Sequence, residues 1–174
     1  AHEGLIDLYT RIQYTEAHRC LGSGVLSRMT PGVEMLVRDA AVLMIIISDN
    51  SATNMCVDLV GLDYVNTTMR GLGLERTTIF QRLGDSKAGL DARKMSVSTA
   101  GEMTRLLETM ARHEAVSAEA SADMLRIMRR QDYRHELSRL LPWNEMNMLD
   151  DHTVNWVAEK GGSFLNGIRT SGAV

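Results

Sequence analysis

The run Ala40-Ala41-Val42-Leu43-Met44-Ile45-Ile46-Ile47 is broken off by Ser48-Asp49-Asn50. Apolar residues at consecutive positions predict a helix over residues 35–47 whose later half is apolar on every side, and such a helix belongs at the centre of a core. The three small polar residues prefer caps and turns to helix interiors. They are expected to end that helix and to open a second one, running from about Ser51 to Leu59 and stopping at Gly61. A polar triplet beside a buried helix costs stability unless its groups are satisfied. It is therefore either an ordinary helix break with local capping or part of a site. The apolar run cannot span a bilayer, which needs ~20 residues.

The remaining pattern surrounds this pair with further helices and ends in a sheet. Leu5, Leu8, Tyr9 and Ile12 recur at helical spacing and predict an amphipathic helix over residues 4–17. Gly22-Ser23-Gly24 and Pro31-Gly32 punctuate the loop after it. Asp63 is expected to N-cap a short helix that ends at Gly71, with Gly73 just beyond. Residues 74–97 show no clean period and contain Gly84 and Gly89. They read as a long, largely irregular loop, and loops of that length inside a domain are usually functional.

Thr99 and Glu102 form a capping box for a helix with the stripe Met103, Leu106, Leu107 and Met110. Ser117 opens another, with Met124, Leu125 and Met128 inward, and a short helix is expected from Arg134 to Leu140, closed by Pro142. Thr153, Val154, Trp156 and Val157 then suggest a strand, followed at its end by Lys160-Gly161-Gly162-Ser163. Phe164 to Val174 reads as a hairpin partner, with Asn166-Gly167 near the turn. A block of helices followed by the start of a sheet is an α+β arrangement.

Composition narrows the function classes. A net charge of -3, with acidic residues scattered among the arginines, points to neither nucleic acid nor an anionic membrane as partner. The five histidines are dispersed, and no C-x-x-C or paired histidines at zinc spacing occur, so no metal is expected. Cys20 and Cys56 could pair or remain free thiols. The twelve methionines read as core filler.

Two motifs carry chemistry together. Ser48-Asp49-Asn50 is an S-D-N, and Lys160-Gly161-Gly162 is a K-x-G downstream of it. In that order, these resemble the motif set of class A β-lactamases and penicillin-binding serine hydrolases, which use S-x-x-K, S-D-N and K-T-G. Thr30-Pro31-Gly32, Val37-Arg38-Asp39 and Ser51-Ala52-Thr53-Asn54 look like the sequence around S-D-N in that family, and Trp156 to Gly162 with Gly167-Ile168-Arg169 looks like the strand bearing K-T-G and the turn after it. The resemblance covers nearly the whole chain.

It implies a β-lactamase/transpeptidase-like fold. Residues 1–150 would be a helical domain with S-D-N and the 74–97 loop, and residues 151–174 a partial sheet with the K-G-G motif. It also implies acyl transfer to a serine without metal or organic cofactor, by a monomer, in the periplasm or outside the cell, on a small β-lactam or peptidoglycan-like substrate. Ser48 would relay a proton to the leaving nitrogen. Asn50 would hydrogen-bond the substrate's side-chain amide. Lys160 would hold Ser48 and stabilise a substrate carboxylate by charge. Gly161 and Gly162 would let the ligand approach the backbone, and the Ser163 N–H would supply half of an oxyanion hole.

Three departures qualify this. No S-x-x-K occurs, and its expected place lies before Ala1. The helix from Leu5 would then be the remainder of the nucleophile helix, and the chain a fragment that is inert by itself. Gly161 stands where the family has Thr, which weakens anion recognition. In the loop, E-x-x-L-N is missing, and Asp85 falls near the place of the family's deacylating Glu. Asp85 would either prime the hydrolytic water or fasten the loop. The alternatives to a β-lactamase are a peptidoglycan D,D-peptidase or esterase of the same fold, and a non-catalytic binding module that has lost the chemistry.

Overall fold

In the computed structural model, residues 6–84, 94–141, 156–164 and 168–174 are described. The chain falls into two compact units, residues 1–102 and 103–174. The described residues of the first begin with a turn and a β-ladder rather than a helix. Strand β1 (Arg11–Gln13) pairs antiparallel with β2 (Glu34–Leu36), Ile12 facing Met35. Backbone bonds continue the ladder on both sides. The Tyr14 and Val37 N–H groups donate to the Val33 and Thr10 carbonyls at 2.8 and 3.0 Å, and the Arg38 N–H to the Leu8 carbonyl at 2.9 Å.

Over residues 6–17 of the predicted helix, the structure has a turn at 7–10, the strand β1 and a 3-10 turn at Glu16–His18 instead. The reason is visible in side-chain exposure. Tyr9, counted in the helical stripe, is 67% exposed, whereas Tyr14 is fully buried. Arg11-Ile12-Gln13-Tyr14 alternates with period two, and that alternation decides the segment.

The core of this unit is Tyr14, Leu26, Ala52 and Met55, with Ile12, Val33, Met35, Leu43 and Met44 packed against it. The Tyr14 hydroxyl is buried and has no hydrogen-bond partner among the described residues. Tyr14→Phe is therefore expected to raise stability by about 1 kcal/mol, because it removes a desolvated polar group and keeps the ring. Urea denaturation checks this, and a loss of stability would reveal a partner for the hydroxyl.

Helix α1 (Val37–Ile46) carries the apolar run. Val37 and Ala40 are buried, while residues 41–47 are half-buried. After the triplet, α2 (Asn50–Val60) ends at Gly61, whose φ of 80° suits glycine. Gly61 also serves as the N-cap of α3 (Leu62–Gly71). Asp63, expected as that cap, sits instead in the first turn, where its charge favours the helix dipole. The 74–97 segment is less irregular than expected, since β3 (Thr78–Ile79) pairs with β4 (Ser96–Val97).

Helix α4 (Ala100–Ala111) begins where Thr99 Oγ1 accepts the Glu102 N–H at 3.2 Å. Its buried residue is Met110. In the second unit, Ser117 Oγ accepts the Ala120 N–H at 3.1 Å and caps α5 (Ala118–Met128). Residues 134–141 form turns instead of the expected helix. Pro142, Thr153 and Val154 lie outside the described residues.

The sheet of this unit is a hairpin. Strand β5 (Glu159–Phe164) pairs with β6 (Ile168–Ala173), from Glu159 opposite Ala173 to Phe164 opposite Ile168. Trp156 and Val157 precede the strand, so Lys160 lies inside β5 and not beyond a strand end. Asn166-Gly167 falls outside the described residues. Helices followed by a terminal hairpin bear out the expected α+β class.

Candidate active site

The S-D-N turn is held from its middle residue. Ser48 adopts φ 52°, a left-handed conformation uncommon for a residue with a side chain. Asp49 is fully buried and bridges two segments. Its Oδ1 accepts the Ala52 N–H at 3.0 Å, which caps α2. Its Oδ2 accepts the Val25 and Leu26 N–H groups at 2.6 and 2.9 Å. The Asn50 N–H donates to the Ser23 carbonyl at 3.1 Å, and Asn50 Nδ2 to the Leu21 carbonyl at 2.9 Å. Ser23 Oγ closes the ring onto the Ile47 carbonyl at 3.0 Å. The loop 21–26 thus wraps the triplet, and the polar groups that looked costly in sequence are paired. Gly24 permits this approach. Its φ is +95°, and a Cβ there would lie 2.3 Å from Asp49 Cγ.

Helix α2 turns a polar face inward and uses it to hold loops. Ser51 Oγ accepts the Cys20 N–H at 3.0 Å. Asn54 is buried and brackets Leu83, accepting its N–H through Oδ1 and donating to its carbonyl through Nδ2, both at 3.0 Å. One turn on, Asp58 pairs with Arg82 at 2.6 Å, and Arg82 also donates to the Ala17 carbonyl at 2.5 Å. The start of the 74–97 loop is therefore fastened to the helix that follows S-D-N. Asn66 brackets Ile79 in the same two-bond fashion, at 2.9 and 2.8 Å. Glu102 accepts the Arg76 N–H at 2.9 Å and the Thr77 hydroxyl at 2.6 Å. Asp85 lies outside the described residues.

Cys20 and Cys56 are not joined in a disulfide; Cys20 is buried, and burial pushes the Cys56 thiol up to about 11.

In the second unit, Lys160, Gly161, Gly162 and Ser163 lie consecutively on β5. Lys160 is half-buried, which lowers the pKa of its ammonium, and its Nζ donates to the Gly161 carbonyl. Gly162 and Ser163 are exposed. Beneath the strand, the buried Glu159 carboxylate collects four donors. Oε1 accepts the Leu137 N–H at 3.0 Å and the Ser171 hydroxyl at 2.7 Å. Oε2 accepts the Ser138 N–H at 3.3 Å and the Ser138 hydroxyl. Burial alone would raise the pKa of this carboxyl, but the hydrogen bonds from Ser138, Ser171 and Leu137 outweigh it and hold the pKa below its usual value.

These donors explain why residues 134–141 turn rather than coil into a helix. The N–H groups of Leu137 and Ser138 are taken by a side chain from β5. Ser48 and Asn50 thus share one turn of the first unit, and the K-G-G residues share one strand of the second. Sequence reasoning missed Asn54, Asp58 and Glu159, whose partners are far away in the chain. Among the described residues, no cluster of three or more His, Cys, Asp or Glu could hold a metal ion. No helix among them is long and apolar enough to cross a membrane.

A sequence model of the Beta-lactamase enzyme family matches residues 1–169. The structure is similar to a β-lactamase from Sphaerobacter thermophilus, with 25% identity and a TM-score of 0.81 over 98% of this chain and 66% of that one. It is also similar to a PBP-A variant solved as an acyl-enzyme complex with penicillin G, at 27% identity and a TM-score of 0.73 over 98% and 63% of the two chains. The chromosome-encoded β-lactamase of Vibrio parahaemolyticus shares the fold at 20% identity, with a TM-score of 0.77 over 98% and 62%. The chain therefore spans less than two thirds of the length of these structures. A search of curated protein sequences returns no match. The fold is of the β-lactamase/transpeptidase type, and the chain, matched by the family over nearly all its residues, belongs to the Beta-lactamase enzyme family.

Proposed function

We propose that the protein is a serine hydrolase that opens β-lactam amide bonds through an acyl-enzyme. The observation that carries this reading is the S-D-N turn. Ser48 is set in a left-handed conformation between two helices and secured by the buried Asp49, an expensive arrangement for a mere helix break. Family membership over residues 1–169 supports it.

In this reading the nucleophile is the serine of an S-x-x-K motif, which residues 1–174 do not contain. Ser48 passes a proton to the leaving nitrogen, and Asn50 bonds the substrate's side-chain amide. Lys160 attracts the substrate carboxylate, and its half-buried setting strengthens that attraction. Gly161 and Gly162 leave the strand open to close approach by the ligand, and the Ser163 N–H stabilises the oxyanion. Asp85 primes the hydrolytic water. The protein works as a monomer on small molecules, in the periplasm or after secretion, as family membership suggests.

The test uses protein that includes the S-x-x-K serine, a chromogenic cephalosporin and intact mass. Turnover is expected, with a penicilloyl adduct on that serine. Ser48→Ala should slow acylation by about 100-fold, the usual effect of losing a proton-transfer group. Acylation of Ser48→Ala at the parent rate would remove Ser48 from the mechanism. Residues 1–174 alone should take up no adduct, and an adduct there would overturn the placement of the nucleophile.

A peptidase-like second reading is favoured by the absence of E-x-x-L-N and by the likeness to PBP-A. It predicts an adduct that outlasts the assay, because no carboxylate drives deacylation.

A further inference from the structure

Lys160 stands at a weak place in its strand. Directly after it come Gly161 and Gly162, which contribute no side chains to hold β5 against its surroundings. Gly161 has room for a side chain and Gly162 has little. A Cβ on Gly161 would only touch Glu136 Cγ at 3.6 Å, and one on Gly162 would meet Thr170 Oγ1 at 3.1 Å. The residue before the lysine is the opposite case. Glu159 is 2% exposed and takes donors from two elements, Leu137 and Ser138 on the 134–141 turn and Ser171 on β6.

Along a strand, neighbouring side chains point to opposite faces. Glu159 and Ser171 therefore bond across one face, while Lys160 stands on the other, opposite Gly172. A slip of one residue would exchange the faces and bury the ammonium where the carboxylate now sits. With glycines on one side of Lys160, the anchor against such a slip falls on Glu159.

We propose that Glu159 is a positioning residue for Lys160: its four-donor clamp sets the register and height of β5, and so the place of the ammonium that meets the substrate carboxylate. The proposal rests on the reading of Lys160 given above. A carboxylate suits the task because all four contacting groups, from three residues, donate. Glutamine would turn an amide N–H₂ toward one pair of them and lose that pair. Aspartate keeps the acceptors but reaches one methylene less far.

The experiment compares the parent protein, including the S-x-x-K serine, with Glu159→Gln and Glu159→Asp. Acylation by a fluorescent penicillin is followed, together with NMR titration of the Lys160 side chain, which needs no activity. Glu159→Gln is expected to slow acylation roughly 10- to 100-fold, as small misplacements of a charged group do, and to displace the Lys160 titration. Glu159→Asp should lie between. An unmoved Lys160 signal, or parent-rate acylation in Glu159→Gln, overturns the proposal. If the parent itself is not acylated, the hydrolase reading fails, and the Lys160 signal alone decides whether Glu159 positions it. If Glu159→Gln does not fold, Ser171→Ala removes one donor and leaves the carboxylate, and a smaller displacement of the Lys160 signal is the expected result. Its absence overturns the proposal.

Discussion

Asp49→Ala is expected to lower the unfolding free energy by about 4 kcal/mol, because the N–H groups of the buried Leu26 and Ala52 lose their acceptor, as does that of the more exposed Val25. Each donor left unsatisfied costs roughly 1–3 kcal/mol, and total stabilities are typically about 5–15 kcal/mol, so most of the margin would go. Asp49→Asn is the informative companion. It keeps the shape and one acceptor oxygen but turns an N–H₂ toward donors, and about half the loss is expected. Urea unfolding followed by circular dichroism measures both. A cost for Asp49→Ala below about 1 kcal/mol would mean that loop 21–26 is held by something other than this carboxylate.

Gly24→Ala should be nearly as damaging, through sterics rather than lost hydrogen bonds. The added methyl would lie 2.3 Å from Asp49 Cγ and 2.4 Å from Asp49 Cα, and a backbone atom cannot rotate away as a side-chain end can. The φ of +95° adds strain for any residue with a Cβ. A loss of about 3–4 kcal/mol is expected from overpacking and conformation together. Gly22→Ala is the control. Its methyl would meet only Asn50 Nδ2 at 2.7 Å, the mobile end of a side chain, so the clash itself is relievable and the total loss smaller. Equal losses in the two variants, by thermal or urea unfolding, would show that the positive φ alone matters.

Much of this arrangement was legible from local sequence. The triplet after the apolar run marked the break between α1 and α2, Gly61 marked the end of α2, and Ser117 marked the start of α5. The glycines flanking Ser23 pointed to a loop, though not to the loop's grip on Asp49. What escaped was decided at long range. Residues 8–14 carry a helical spacing and an alternating one at once, and pairing with residues 33–38 selects the alternating one. Residues 134–140 have the composition of a helix, but Glu159 captures two of their N–H groups from more than twenty positions away. Asn54 and Asp58 look like ordinary polar residues on an exposed helix face. Their work becomes visible only when Leu83 and Arg82 arrive against them.

The inward polar face of α2 bears on how the first unit folds. Asp49, Ser51 and Asn54 are all buried, and apart from the Ala52 N–H on Asp49 the partners of their side chains lie in residues 18–26 and at Leu83, between 23 and 36 positions distant. Until those segments close in, docking α2 would desolvate groups that nothing satisfies. A purely apolar helix face could stick to the core early and let the loops follow. This one has to wait for them, so α2, the S-D-N turn and the start of the 74–97 loop should consolidate in a single late step. Such a step is slow because it closes long loops before any contact rewards it. In hydrogen exchange, the amides of Ala52 and Leu83 should open together, in one cooperative unit, although they lie on separate segments of the chain.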